Sequence, residues 1–297
     1  MVHYRRLEET WEDFSAAMAR HSGDETRIYK TVGDEALRIS LYYPPAYEPA
    51  RRYPLLALVH GGGWASRRVF PDQAEWAGDY LGFLARRYAE RGCLCASIDY
   101  RLMRRDGQQA GYELIDLYED CADAADYLSA HADMLGIDPQ RTAVMGESAG
   151  GYLAAALVTL PLRDHSFFKT AILANPITDL FDPRWGARVA EESAHPVLAE
   201  LSGPEKRALL SPVCQITEET CPTLLLHGAC DSVVFPFHAL KYHDLLAACG
   251  REARLDLIEN TGHAFMLGEY VQENGRSLSA LECGVRAMDE WLAARGF

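Results

Sequence analysis

One serine constrains this chain more than any other residue. Ser148 stands inside Gly146-Glu147-Ser148-Ala149-Gly150-Gly151. The apolar run Thr142-Ala143-Val144-Met145 leads in, and Tyr152-Leu153-Ala154-Ala155-Ala156-Leu157 leads out. That pattern predicts a short buried strand, a sharp turn with serine at its apex, and then a helix. A G-x-S-x-G run between a strand and a helix lifts the hydroxyl above the edge of a sheet, as a nucleophile elbow does. The glycines let strand and helix approach where a Cβ would clash.

A second signature lies upstream. His60-Gly61-Gly62-Gly63-Trp64 follows the apolar run Leu55-Leu56-Ala57-Leu58-Val59 directly. Such a turn after a central strand can aim bare backbone N–H groups at developing negative charge. A glycine-rich turn with no chemistry is the plainer alternative, and the serine in its expected place downstream argues against it.

A serine hydroxyl needs a general base, and the base needs an acid to orient it. The chain offers both in loops that follow apolar runs. Asp231 lies in His227-Gly228-Ala229-Cys230-Asp231-Ser232-Val233-Val234-Phe235-Pro236, after Thr223–Leu226. His263 lies in Asn260-Thr261-Gly262-His263-Ala264-Phe265, after Ala253–Ile258. An isolated loop aspartate is often only a helix N-cap. Its place between Ser148 and His263 in the chain favours the catalytic reading, with Asp179, after the preceding strand, as the rival acid. His227 and His238 read as structural, and His60 as shaping its own turn.

The rest of the chain alternates strands and helices. Residues 5–20 carry Leu7, Trp11, Phe14 and Met18 at helical spacing, which predicts a helix within an N-terminal segment, 1–24. Residues 26–32 and 36–43 predict two strands about the turn Gly33-Asp34. A helix over about 73–91, a strand from Cys93 to Tyr100 and a helix over about 112–131 follow, with a turn at Gly136-Ile137-Asp138-Pro139. Beyond the elbow, strands are expected at Lys169–Asn175, Thr223–Leu226 and Ala253–Ile258, and helices at 237–249 and 276–295. The alternation predicts an α/β fold in one domain, 1–297, with a mostly parallel sheet covered by helices on both faces. The segment 177–222 is too long for a simple crossover and reads as a partial lid. It carries Phe181, Trp185 and His195.

Composition narrows the partners. The net charge of −14, from 43 acidic and 29 basic residues, argues against nucleic acid and anionic membranes. No run approaches the roughly 18 apolar residues of a membrane span. The N-terminus lacks a secretory apolar region, so a cytoplasmic location is expected. The eight cysteines are scattered, and free thiols in a reducing compartment are the simplest account. A Cys214–Cys221 disulfide stays open as the alternative. No spacing suggests a zinc site.

Taken together, the four motifs around His60, Ser148, Asp231 and His263 resemble those of α/β-hydrolase fold esterases. More narrowly they resemble hormone-sensitive-lipase-type carboxylesterases and the related acetyl-ester and feruloyl-ester hydrolases acting on plant carbohydrates. The resemblance covers roughly residues 37–297. It implies the α/β-hydrolase fold, with Ser148 as nucleophile, His263 as base and Asp231 as acid. Ala149 with Gly62 and Gly63 would form the oxyanion hole, Gly61 remaining open. No metal or organic cofactor is implied. The partner would be a small-molecule ester, an acylated sugar among the options, and a homo-oligomer is compatible. Trp64, Tyr152 and Trp185 are candidate pocket walls. Glu147 stands where many such esterases have Asp or His. Bracing a helix N-terminus and hydrogen bonding under the elbow are its two readings. An arylformamidase-like amidase and a non-catalytic binding protein of the same fold are the alternatives. The triad being complete argues against the second, and Gly63 argues against the first.

Overall fold

A computed structural model describes residues 1–7, 21–65, 81–105, 108–164, 166–183, 203–267 and 278–297. Strands β1 (Val2–Arg5), β2 (Glu25–Val32), β3 (Glu35–Tyr42) and β4 (Tyr53–Val59) come first. Helix α1 (Gly82–Glu90), β5 (Leu94–Ile98), the small hairpin β6–β7 (Arg104–Arg105, Gln108–Gln109) and α2 (Leu114–Ala130) follow. Next are β8 (Ile137–Glu147), α3 (Ala149–Leu157), β9 (Thr170–Ala174), α4 (Pro204–Leu210) and a 3₁₀ turn at Pro212–Cys214. The chain closes with β10 (Thr223–Gly228), α5 (Phe237–Ala248), β11 (Ala253–Ile258) and α6 (Ser279–Ala293).

Nine strands form one sheet in the order β1-β11-β10-β9-β8-β4-β5-β3-β2. Within this sheet, among the described residues, only β2–β3 and β3–β5 pair antiparallel. The reason is legible in β4. Leu55, Ala57 and Val59 enter one core cluster with residues of α2, α3 and α5. Leu56 and Leu58 enter the other with residues of α1 and α6. A strand buried on both faces must be apolar at every position rather than at alternate ones. All nine residues of α3 are likewise buried, which suits its small Ala and Gly side chains.

Two expectations need correction. Arg5 ends a strand rather than beginning a helix. β1 pairs parallel with β11, from Val2↔Leu255 to Arg5↔Ile258, and Arg5 is ion-paired to the fully buried Asp256. Residues 8–20, the rest of that expected helix, lie outside the described residues. So does most of the helix expected over 73–91 before Gly82. The turn expected at Gly136–Pro139 ends at Gly136, where φ is 62°, and Ile137 already begins β8, because Tyr53 pairs with Ile137 and draws it into the sheet. All eight cysteines are free, so no Cys214–Cys221 bridge forms. No helix among the described residues is long and apolar enough to cross a membrane.

Of the segment 177–222, residues 184–202, with Trp185 and His195, lie outside the described residues. The described parts are anchored to the core: Tyr152 Oη donates to Leu210 O at 2.9 Å, and Val213 N to Thr178 O at 3.1 Å.

Candidate active site

The parallel strands bring three loops to one edge of the sheet, because each leaves the C-terminal end of its strand. Open parallel sheets place ligands at that edge. Ser148 follows β8. The loop holding Asp231 follows β10, and the loop holding His263 follows the neighbouring β11. Gly228 pairs with Ile258, and the two loops are stitched by Ala229 N to Ile258 O (2.9 Å) and Cys230 N to Thr261 O (2.8 Å).

Ser148 holds φ 55°, ψ −117°, a conformation that L residues rarely adopt and that concentrates at functional sites. Two contacts enforce it. Ser148 N donates to Ala174 O at 2.9 Å. Gly150 presses on β4 so closely that a Cβ there would lie 2.1 Å from Val59 O, and the elbow can tighten only because that Cβ is missing.

The three side chains meet as the spacing predicts. His263 Nε2 lies 2.7 Å from Ser148 Oγ, and His263 Nδ1 lies 2.7 Å from Asp231 Oδ2. Asp231 is 3% exposed. Its Oδ1 accepts Val233 N (2.8 Å) and Val234 N (3.0 Å). Burial alone would raise its pKa, but hydrogen bonding from the imidazoles of His227 and His263, with the positive charge of His263, outweighs burial and holds it well below the usual carboxylate range. Its carboxyl is therefore ionised across the neutral range. Asp179, the rival, is committed elsewhere. Its Oδ1 accepts Phe181 N at 2.9 Å and its Oδ2 meets Lys241 Nζ at 2.6 Å.

The glycine turn sits against the elbow because β4 and β8 are neighbours, with Val59 opposite Gly146. Gly62 and Gly63 have φ of 99° and 62°. Ala149, the residue after the serine, opens α3. Among the described residues, no acceptor bonds the backbone N–H of Gly62 or Ala149. The turn is held from behind by Tyr100, whose Oη donates to His60 O at 2.8 Å and whose ring stacks on His60 at 4.2 Å. His60 Nδ1 donates to Gly61 O at 2.8 Å, as expected of a residue shaping its own turn.

Trp64 and Tyr152 are 2% and 0% exposed. Trp64 Nε1 donates to Ala149 O at 3.1 Å, and the two rings meet edge-on at 5.4 Å. Both pack beneath the elbow and turn, and neither presents an open ring face. Trp185 lies outside the described residues. Glu147 is fully buried behind the serine with Oε2 against Gly61, so it lies under the turns rather than at an open helix end. Burial raises its pKa and Asp231 raises it further. His263 and Asn175 oppose this, leaving it at about 7. Tyr100 and Asn175 carried no motif signal. Asn175 Oδ1 accepts Gly228 N at 3.1 Å and so ties β9 to the acid loop.

The BD-FAE family model matches residues 39–246. The ethyl acetate hydrolase of Pseudomonas putida is 26% identical over 84% of this chain and 77% of its own. The carboxylesterase NlhH of Mycobacterium tuberculosis is 27% identical over 87% and 82%. Among solved structures, a thermophilic esterase from the planctomycete Thermogutta terrifontis superposes with TM-score 0.73 at 26% identity, covering 93% of each chain. The same esterase has been solved with propionate and with butyrate bound.

Proposed function

The chain belongs to the BD-FAE family and is a carboxylic ester hydrolase of the α/β-hydrolase fold, and from that premise we propose that Ser148, His263 and Asp231 cleave short-chain acyl esters through an acyl-enzyme. The observation that carries this reading is the unbroken chain of contacts from Ser148 Oγ to Asp231, 2.7 Å at each step.

His263 Nε2 takes the proton of Ser148 Oγ as it attacks the ester carbonyl, and Asp231 steadies the resulting imidazolium. The oxyanion is met by backbone N–H of Ala149, Gly62 and Gly63. His263 then returns the proton to the leaving alcohol. A water, deprotonated by His263, attacks the acyl-serine and releases the acid. Each step needs only these groups and the substrate.

The preference for short acyl chains is supported by relatives: one is named for ethyl acetate, and a structural neighbour has been solved with propionate and butyrate. An acetylated plant sugar is the natural substrate we favour, on the resemblance of the motifs to carbohydrate esterases. The eight unpaired thiols fit a reducing compartment such as the cytoplasm.

The test is a panel of p-nitrophenyl esters from acetate to long acyl chains, with acetylated xylo-oligosaccharides, a feruloyl ester and N-formylkynurenine. Wild type and Ser148→Ala are run side by side. We expect hydrolysis that falls with chain length and vanishes in the variant. Full activity in Ser148→Ala would overturn the assignment of the nucleophile, and a preference for N-formylkynurenine would move the enzyme to amide chemistry.

A further inference from the structure

We propose that His227 is a positioning residue for the acid of the triad, a second imidazole that meets Asp231 at Oδ2, the oxygen it shares with His263. The inference rests on the triad reading above and extends it to a residue that the sequence motifs leave as structural.

The geometry starts from the strand. His227 is the penultimate residue of β10, opposite Leu257 of β11, and is fully buried. Its Nε2 lies 2.8 Å from Val234 O and 3.3 Å from Asp231 Oδ2. Both neighbours are acceptors only, so Nε2 carries the proton. Nδ1 is buried without a partner among the described residues. That fits an unprotonated nitrogen, since a buried N–H left unpaired would cost more.

One N–H therefore faces two acceptors at once. Val234 is held from both ends: its carbonyl accepts from His227, and its N–H donates to Asp231 Oδ1 at 3.0 Å. The loop from 227 to 234 closes on itself around the carboxylate. Oδ1 is fixed by two backbone donors, and Oδ2 is shared by two imidazoles. Asp231 cannot rotate to offer Oδ1 to His263 without breaking this set. The rigid strand sets His227, His227 sets the loop and carboxylate, and the carboxylate sets the tautomer and orientation of His263. His227 touches no reacting atom and acts through Asp231.

His227 also divides the charge on Oδ2. A carboxylate with one donor fewer places more negative charge on His263 and favours the imidazolium. Loss of His227 then has two effects that a merely structural residue would not produce together. Turnover falls because the acid is loosened, and the acidic limb of the pH profile of kcat/KM moves upward.

The experiment compares His227→Phe, which fills the space without a donor, with His227→Gln, whose amide N–H reaches the position of Nε2. Active sites are counted by stoichiometric phosphorylation of the serine with a p-nitrophenyl phosphate ester, and Asp231→Asn is run in parallel. We expect His227→Phe to lose about 10- to 100-fold in kcat per active site, with KM little changed and the acidic limb raised. His227→Gln should return to within about threefold of wild type, on the same geometric ground. Wild-type turnover with an unmoved limb in His227→Phe overturns the inference, as does a folded His227→Gln as slow as His227→Phe. Should His227→Phe not fold, ¹⁵N NMR of the labelled wild-type enzyme decides it: a proton on Nε2 of His227 is expected, and a proton on Nδ1 overturns the inference. If Asp231→Asn turns over like wild type, the triad reading and this inference fall together. If Asp231→Asn collapses while His227→Phe does not, only the role of His227 falls.

Discussion

Gly61 and Glu147 touch across the gap between two turns: a Cβ built on Gly61 would lie 2.5 Å from Glu147 Oε2, 2.9 Å from Glu147 O and 3.3 Å from Ser148 Cβ. The first glycine of the turn is thus required for a reason separate from the proposed oxyanion contacts. It lets the turn lie flat on the residue that precedes the nucleophile. The distance from the N–H groups of Gly62 and Gly63 to the serine is set by this contact and by the pairing of β4 with β8. Gly61→Ala should push the two turns apart. We expect a loss of about 10- to 100-fold in kcat/KM on p-nitrophenyl acetate, with far-ultraviolet circular dichroism unchanged. Activity within twofold of wild type would show that the contact relaxes without moving the N–H groups.

The choice between two carboxylates can be made by single substitutions. Asp231→Asn keeps the size of the side chain but loses the charge that favours the imidazolium and can mis-set the tautomer of His263. A loss of about 10⁴-fold in kcat is expected. Asp179→Asn should disturb only its pairing with Lys241 and leave kcat near that of wild type, because its carboxylate is committed to Phe181 N and Lys241 rather than to His263. Equal kcat in wild type and Asp231→Asn would return the role to Asp179 or elsewhere.

How far these features could be read from the sequence depends on which interactions carry them. β10, β11, α2 and the elbow were legible because buried parallel strands and amphipathic helices leave a local apolar pattern. Ser148, Asp231 and His263 were legible because each lies in a turn or loop that follows such a strand. β1 was not, since the four residues Val2–Arg5 have no period of their own and are placed by β11 and Asp256. The packing of Trp64 and Tyr152 is not legible for a related reason. An aromatic residue beside a catalytic turn reads the same whether it walls a cleft or supports the turn, and only the hydrogen bond from Trp64 Nε1 to Ala149 O and the burial of both rings distinguish them. His227 lies four residues before the acid in the motif, yet its direction toward Asp231 depends on the return of the loop to Val234.

The mechanism assigns every proton transfer to His263 and every charge to Asp231 or backbone N–H. Incubation with excess EDTA followed by gel filtration should therefore leave the rate of p-nitrophenyl acetate hydrolysis unchanged. A loss restored by a divalent cation would require a step that the triad does not supply.

Glu147 yields a prediction about stability with a definite sign. Its carboxyl is buried, Oε1 has no hydrogen-bond partner among the described residues, and its pKa is raised from the ordinary 4.5 to about 7. Raising the folded-state pKa of an acid means that the folded protein binds the proton more tightly than the unfolded chain does. The fold carries no penalty below pH 4.5. It loses stability as pH rises from there through 7, and the loss levels off above, at about 3 kcal/mol. Glu147→Gln keeps the shape and removes the ionisation. The variant should melt close to wild type at pH 5 and several degrees higher at pH 8, so the difference in Tm grows between those limits. A difference that stays constant from pH 5 to 8 would mean that Glu147 is already ionised in the folded enzyme at pH 5, held so by the positive charge of His263.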